Sequence, residues 1–199
     1  MMKKLNFEPF IGSSYYNENL KILVLGESHH FNSEDIISFN ENPVNYKNIT
    51  QKVFEVFFAY KEKRKKFENW MNTFTRFSNV FNNNYLNTEE TIKFWNAVSF
   101  YNYVQTPVDK NRKSPTINQF SDSHSVFLEI LKKLKPNLII VWGYRLWKNM
   151  PKNNLKKENG LDIYEGCPIL VIPHPASSKL RYEDNEFIKT YYYKLLNQI

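Results

Sequence analysis

The hydrophobic pattern contains short runs of branched apolar residues in which polar and apolar positions do not alternate. Three of these runs, Lys21–Leu25, Leu138–Trp142 and Ile169–Ile172, are rich in Ile, Leu and Val. Such runs are typical of strands that are buried on both faces of a parallel sheet. A fourth, less apolar strand is predicted over Phe94–Val98.

Helical periodicity fills parts of the chain between these strands. Ser125–Leu134 places Val, Phe, Ile and Leu on one face, and Pro136 ends the pattern. A last helix is predicted over Asp184–Leu196. Strands that alternate with helices indicate an open α/β sheet, and no repeat or composition break marks a second domain.

The composition narrows the function classes. The chain of 199 residues carries 27 Lys and Arg against 20 Asp and Glu, a net charge of +7 that favours binding of a polyanion such as DNA. Cys167 is the one cysteine, which excludes an internal disulfide and a site built from several thiolates. With no apolar run near the roughly 20 residues of a membrane span, we expect a cytoplasmic monomer that needs no metal or other cofactor.

Unusual polar residues follow the predicted strands. Glu27–His30 follows the strand Lys21–Leu25, and His174–Ser178 comes shortly after the strand Ile169–Ile172. Asn96–Asn102 covers the end of the strand predicted over Phe94–Val98 and the loop after it. In an open parallel sheet, ligands bind beyond the carboxyl ends of the strands. These three segments are therefore the candidates for a functional site.

In this order, the segments resemble the uracil-DNA glycosylase superfamily. Leu25-Gly26-Glu27 resembles the opening of the family's water-activating loop, and Asn96-Ala97-Val98 resembles the strand whose Asn binds the uracil edge. Val141-Trp142-Gly143 and His174-Pro175-Ala176-Ser177 resemble the family's later strand and its His-Pro-Ser loop. The resemblance implies a three-layer α/β/α sandwich with a central, mostly parallel four-stranded sheet, as one domain over residues 1–199.

The resemblance also implies roles for individual residues in catalysis. His174 would stabilise the departing base, because a preorganised imidazole donor favours developing negative charge. Because the carboxylate that activates water in the family's most active branch is missing here, Glu27 or His29 would have to assist the attacking water, and a His near its reference pKa of about 6.5 is a general base. Asn96 would bind the base through an amide that offers both a donor and an acceptor.

Further residues are implied to contact the nucleotide or the DNA. Phe39 or Phe31 would stack on the flipped base, with Ser28 beside it, although core packing is the plain alternative for both rings. Leu180 would fill the gap that the flipped base leaves. Phosphate contacts are predicted for Lys110, Arg112 and Lys113, and the DNA-binding loop comprises Ser177, Ser178, Lys179, Leu180 and Arg181.

One departure from the family pattern leaves three functions open. Ser28-His29-His30 stands where the most active branch has Asp-Pro-Tyr, so the carboxylate that activates water there is missing. The first hypothesis is a DNA glycosylase-like enzyme that hydrolyses an N-glycosidic bond. The second is a nucleic-acid- or nucleotide-binding protein without catalysis on the same fold. The third is a hydrolase, because Gly26-Glu27-Ser28-His29 also resembles erythromycin esterase-like proteins, in which Glu27 and His29 would be catalytic.

Overall fold

The computed structural model describes residues 4–110, 114–181 and 184–196, in which strands and helices alternate along the chain. The strands over these ranges are β1 (Phe10–Ile11), β2 (Ile22–Gly26), β3 (His30–Phe31), β4 (Val98–Asn102), β5 (Val108–Asp109), β6 (Leu138–Trp142), β7 (Leu155–Glu158), β8 (Leu161–Tyr164) and β9 (Cys167–Ile172). The α-helices are α1 (Ser33–Glu41), α2 (Ile49–Lys61), α3 (Met71–Asn82), α4 (Thr88–Asn96), α5 (Ile117–Leu134), α6 (Tyr144–Asn149) and α7 (Asp184–Leu196).

The central sheet has seven strands in the order β1-β4-β2-β6-β9-β8-β7. Its four middle strands, β4, β2, β6 and β9, are parallel, and antiparallel strands extend both sides. The prediction of a mostly parallel sheet is confirmed, but the predicted number of four strands is wrong. The added strands lack a long apolar run, because β1 has two residues and β7 is largely exposed and charged.

Both faces of the sheet are covered, so the three-layer α/β/α arrangement is confirmed. Ile22 and Val24 lie in a core formed with α2, α3, α4 and α7. Leu23 and Leu25, which point to the opposite face, lie in a second core with α5 and α6. None of the helices within the described ranges combines the length and the apolar character that crossing a membrane requires.

The strand predicted over Phe94–Val98 is wrong, because most of this segment belongs to helix α4. A capping box starts the helix: the Asn87 side chain accepts from the Glu90 N–H, and the Glu90 side chain accepts from the Asn87 N–H. The helix continues to Asn96, and strand β4 begins only at Val98. The residue at the carboxyl end of this strand is therefore Asn102.

Gly26 sets how closely β2 and the Asn102 side chain approach each other. The two residues pair in the parallel register of β2 and β4. A Cβ atom at Gly26 would lie 2.4 Å from Asn102 Oδ1 and 2.7 Å from the Cζ atom of Phe100. Position 26 thus has no room for a larger residue unless one of these neighbours moves.

We expect Gly26→Ala to lower the free energy of unfolding by about 1–3 kcal/mol, because the added methyl group overpacks this contact. Urea unfolding monitored by tryptophan fluorescence measures the change. Ser178→Ala, in an exposed loop at the same end of the sheet, is the control and should change stability by less than about 0.5 kcal/mol. Equal stability of Gly26→Ala and the wild type would contradict the predicted clash.

Candidate functional site at the carboxyl edge of the sheet

Polar side chains collect where the parallel strands end. We call this the carboxyl edge, formed by the residues at and just after the ends of β4, β2, β6 and β9. Asn102 ends β4, Glu27 follows β2, and His174 lies two residues beyond β9. The strands of Asn102 and His174 are three strand spacings apart, about 14 Å. Both side chains lie over the strands in between, because Asn102 Oδ1 lies against Gly26 of β2 and His174 lies against Gly143, just after β6.

Glu27 is held by Arg145 from the first turn of α6. Arg145 donates to both carboxylate oxygens, from Nε at 2.8 Å and from Nη2 at 2.5 Å. Its third nitrogen donates to Ser114 Oγ at 2.7 Å. The hydrogen bonds from Arg145 to Glu27 raise the pKa of Arg145. Arg145 was not predicted, although its position just after Gly143 at the end of a buried strand was a usable signal.

The orientation and tautomer of His174 are set by a backbone hydrogen bond. The Ala176 N–H donates to His174 Nδ1 at 3.1 Å, so in the neutral ring Nε2 carries the proton. The ring packs edge-on against Trp142, with 6.0 Å between centroids. Desolvation lowers the pKa of His174, Glu27 opposes that shift and Arg145 adds to it. At neutral pH, His174 is therefore a neutral donor through Nε2–H.

The loop that carries His174 is fastened to two other elements. Arg76 on α3 donates to the carbonyl oxygens of Pro175, at 3.2 Å, and of Leu180. Gly143 lies against it with a positive φ of 97°, and a Cβ there would be 3.4 Å from His174 Cβ. No sequence pattern links Arg76 to a loop about one hundred residues away, so sequence reasoning missed it.

His29 is buried in the protein, where it supports Asn102. Its Nε2 lies 3.0 Å from Thr50 Oγ1 and 3.2 Å from Asn102 Nδ2, and its ring contacts Phe7 edge-on. Only 7% of His29 is exposed, and this burial lowers its pKa to about 3. The prediction of a general base with a pKa near 6.5 is wrong, because the ring is kept neutral and away from bulk water.

The Glu27–His29 pair of an esterase-like site is not supported either. His29 is bonded to Asn102 and Thr50, whereas both oxygens of Glu27 are bonded to Arg145. The two side chains of the short motif therefore have separate partners. Glu27 is bonded to Arg145 and raises the pKa of His174 through its charge, whereas His29 is bonded to Asn102.

Asn96 lies at the opposite end of β4 from the site. It is the last residue of α4, and its backbone carbonyl accepts bonds from the N–H and the hydroxyl of Ser14. From Val98 to Asn102 the strand rises about 13 Å, which separates Asn96 from the carboxyl edge. The prediction that Asn96 binds the base is wrong, and Asn102 is the amide that lies at the site. It was detectable as the polar residue that ends a buried run.

Phe31 and Phe39 are core residues. Each is 6% exposed, and both pack against Phe7, at 6.0 and 5.5 Å between ring centroids. The prediction that either ring stacks on a base is wrong, because neither has an open face. Ser28 is half-buried, and its hydroxyl lies 3.5 Å from His30 Nε2.

Leu180 is also a core residue. Its side chain is fully buried in the cluster that α3 and α7 share with the sheet. The prediction that Leu180 enters the DNA is wrong, because the side chain points into the protein. Ser178 and Lys179, just before it, are exposed, and Ser177 is half-buried while its N–H bonds the His174 carbonyl at 2.7 Å.

Basic residues lie around the carboxyl edge. Lys179 and Arg181 are exposed in the loop that follows β9, and Lys110 is exposed just after β5. Arg112 and Lys113, which were also predicted to contact phosphate, lie outside the described residues. The exposed cations remain candidates for phosphate contacts.

Two surface cavities lie away from this edge. One, of about 320 Å³, is lined by the hairpin of β7 and β8 and includes Lys156 and Glu165. The other, of about 260 Å³, lies against α7 and includes Lys157 and Lys194. Neither is lined by Glu27 or His174, so polar chemistry rather than cavity size identifies the candidate site.

The comparison with protein families agrees with this fold. The sequence matches the family model described as the Uracil DNA glycosylase superfamily over residues 13–196. That range contains Glu27, Asn102, Arg145 and His174. No curated protein matches the chain.

The burial of His29 predicts a pH dependence of stability. The unfolded chain binds a proton below a pKa of about 6.5, whereas the folded protein does so only near the lowered value of about 3. The contribution of neutral His29 to the free energy of unfolding is therefore complete well above pH 6.5. It falls as the pH drops from there toward 3. Between pH 7 and pH 5, this group alone should cost about 2 kcal/mol.

Urea unfolding at pH 7 and pH 5 measures this loss. His29→Gln removes the titrating group, so this share of the loss should disappear. His30→Gln removes only the smaller, coulombic cause of the lowered His29 pKa and should retain most of the wild-type dependence. An identical pH dependence in His29→Gln and the wild type would mean that His29 is not held neutral.

Proposed function

Because the chain belongs to the uracil-DNA glycosylase superfamily, we propose that it is a DNA glycosylase that binds a flipped nucleobase at the carboxyl edge and hydrolyses its N-glycosidic bond. The observation that carries this proposal is the fixed tautomer of His174, which leaves Nε2–H as the donor of a ring close to Glu27 and Arg145. When the N-glycosidic bond breaks, negative charge develops on the base and positive charge on the sugar. The His174 donor matches the first charge and the Glu27 carboxylate matches the second.

His174 is suited to stabilise the departing base. Breaking the bond leaves negative charge on the base, and a preorganised N–H donor stabilises that charge without reorganising. The Ala176 N–H fixes the ring, and Arg76 fixes the loop that carries it. A neutral His174 can donate this bond near neutral pH, because its pKa is lowered.

Asn102 is suited to bind the edge of the base. Its amide has two N–H bonds and one carbonyl oxygen, and contact with His29 uses one N–H. Only 8% of Asn102 is exposed, so the base has to contact the open edge of this amide directly. The second N–H and Oδ1 together match the acceptor-donor edge of a pyrimidine. Gly26 and His29 hold the amide in place, so the base does not need to order it.

Glu27 is suited to the water and sugar side of the reaction. A carboxylate has about four acceptor positions, and Arg145 takes two of them. The remaining positions can accept a hydrogen bond from a water molecule and orient it for attack. The negative charge also favours the cationic sugar that forms as the base departs.

The proposal is tested with oligonucleotides that contain uracil and other modified bases, scored for abasic sites. We expect His174→Ala to lower the rate of base removal by about 10²–10³-fold, as is typical for loss of one preorganised donor. Asn102→Ala should lower it as well. Asn96→Ala is the matched control and should retain the wild-type rate, because this amide lies at the other end of β4. Wild-type rates in both His174→Ala and Asn102→Ala would refute the proposed site.

A second function, base binding without hydrolysis, is favoured by one observation. Both oxygens of Glu27 are bonded to Arg145, so the carboxylate is already paired. Such a protein would bind DNA in a salt-sensitive manner and release no base.

Glu27→Gln separates the two functions. For a glycosylase, we expect base removal to fall by about 10²–10⁴-fold with DNA affinity nearly unchanged, as is typical when a proton-accepting group is lost. Affinity is measured by fluorescence anisotropy and hydrolysis by abasic-site cleavage. Tight binding by the wild type without abasic sites would favour the binding function instead.

A further inference from the structure

Tyr144 is an exposed aromatic residue at the carboxyl edge. It is 58% exposed and is the first residue of α6. Gly143, just before it, lies against His174, and Arg145, just after it, is bonded to Glu27. Tyr144 is therefore placed at the rim of the proposed base site by its neighbours on both sides.

The other rings near this edge are used by the fold. Phe7, Phe31 and Phe39 pack on one another, and Trp142 is 3% exposed. Tyr144 differs because more than half of its surface is open to solvent. An open aromatic face can stack on a nucleobase of any sequence, which is how proteins commonly bind single strands.

The loop that follows β9 is poorly suited to removing a base from a duplex. Extraction from a duplex costs unpairing and unstacking energy that an unpaired base does not require. The exposed side chains of this loop are small, polar or basic, such as Ser178 and Lys179. Its larger apolar residue, Leu180, is fully buried, and Arg76 holds its carbonyl oxygen. Over its described residues, 173–181, this loop thus presents no large exposed apolar group to fill a gap in a duplex.

We propose that the preferred substrate of this site is unpaired DNA, and that Tyr144 stacks on the base next to the one bound by Asn102 and His174. This inference rests on the proposed function, because it requires the base site at the carboxyl edge. Charge supports it: Lys110 and Lys179 are exposed in the loops at this edge, and the chain carries a net charge of +7. A flexible single strand can place its phosphates on these cations while one base stacks.

The test compares one fluorescein-labelled uracil-containing oligonucleotide as a single strand and within a duplex, by anisotropy at fixed salt. We expect at least about tenfold tighter binding of the single strand. Tyr144→Ala should weaken single-strand binding by about tenfold and leave duplex binding unchanged. Tyr144→Phe should retain wild-type affinity, because it keeps the ring. Tyr193→Ala, which removes another exposed ring on α7, is the matched control and should change neither affinity.

Stacking is also measured directly with 2-aminopurine placed next to the uracil. The wild type and Tyr144→Phe should quench its fluorescence, and Tyr144→Ala should not. Equal affinity for single strand and duplex, or quenching that persists in Tyr144→Ala, would overturn this inference and leave the proposed function intact. Tyr144-dependent binding of single strands without base removal would support this inference and count against hydrolysis.

Discussion

The parallel register of β2 with both of its neighbours is the constraint on which the site depends. Ile22 to Gly26 pair in step with β4 and Ile22 to Leu25 pair with β6, so these strands end at the same level. Burial on both faces prevents a shift by one residue, because such a shift would move every apolar side chain to the opposite face. Residues far apart in sequence therefore meet at one edge.

Electrostatics at this edge separate two histidines that the sequence alone could not distinguish. His29 is surrounded by Phe7, Thr50 and Asn102, and its burial removes it from proton transfer near neutral pH. His174 is partly open and has a defined donor atom. One imidazole thus holds a neighbouring amide in place, and the other remains available to a ligand.

The sequence predicted what depends on local pattern and missed what depends on distant contacts. Continuous apolar runs located β2, β6 and β9, and the strand-end rule located Glu27 and His174. Asn96 was predicted because Asn96-Ala97-Val98 resembles the family's strand whose Asn binds the base, although the capping box beginning at Asn87 marks a helix there. The burial of Leu180 depends on packing against α3 and α7, which no local pattern records.

His174 differs from the other polar groups at this edge in the hydrogen bond that it leaves unused. A buried polar atom needs a partner, and His29, Asn102 and the carbonyl oxygens held by Arg76 have theirs. Within the described residues, His174 Nε2 has no hydrogen bond, because the bond that orients the ring is made by Nδ1. A fixed ring with a donor that no protein group accepts contributes little to stability. His174 is exposed, so this N–H is open to solvent, and in the proposed function a ligand supplies its acceptor.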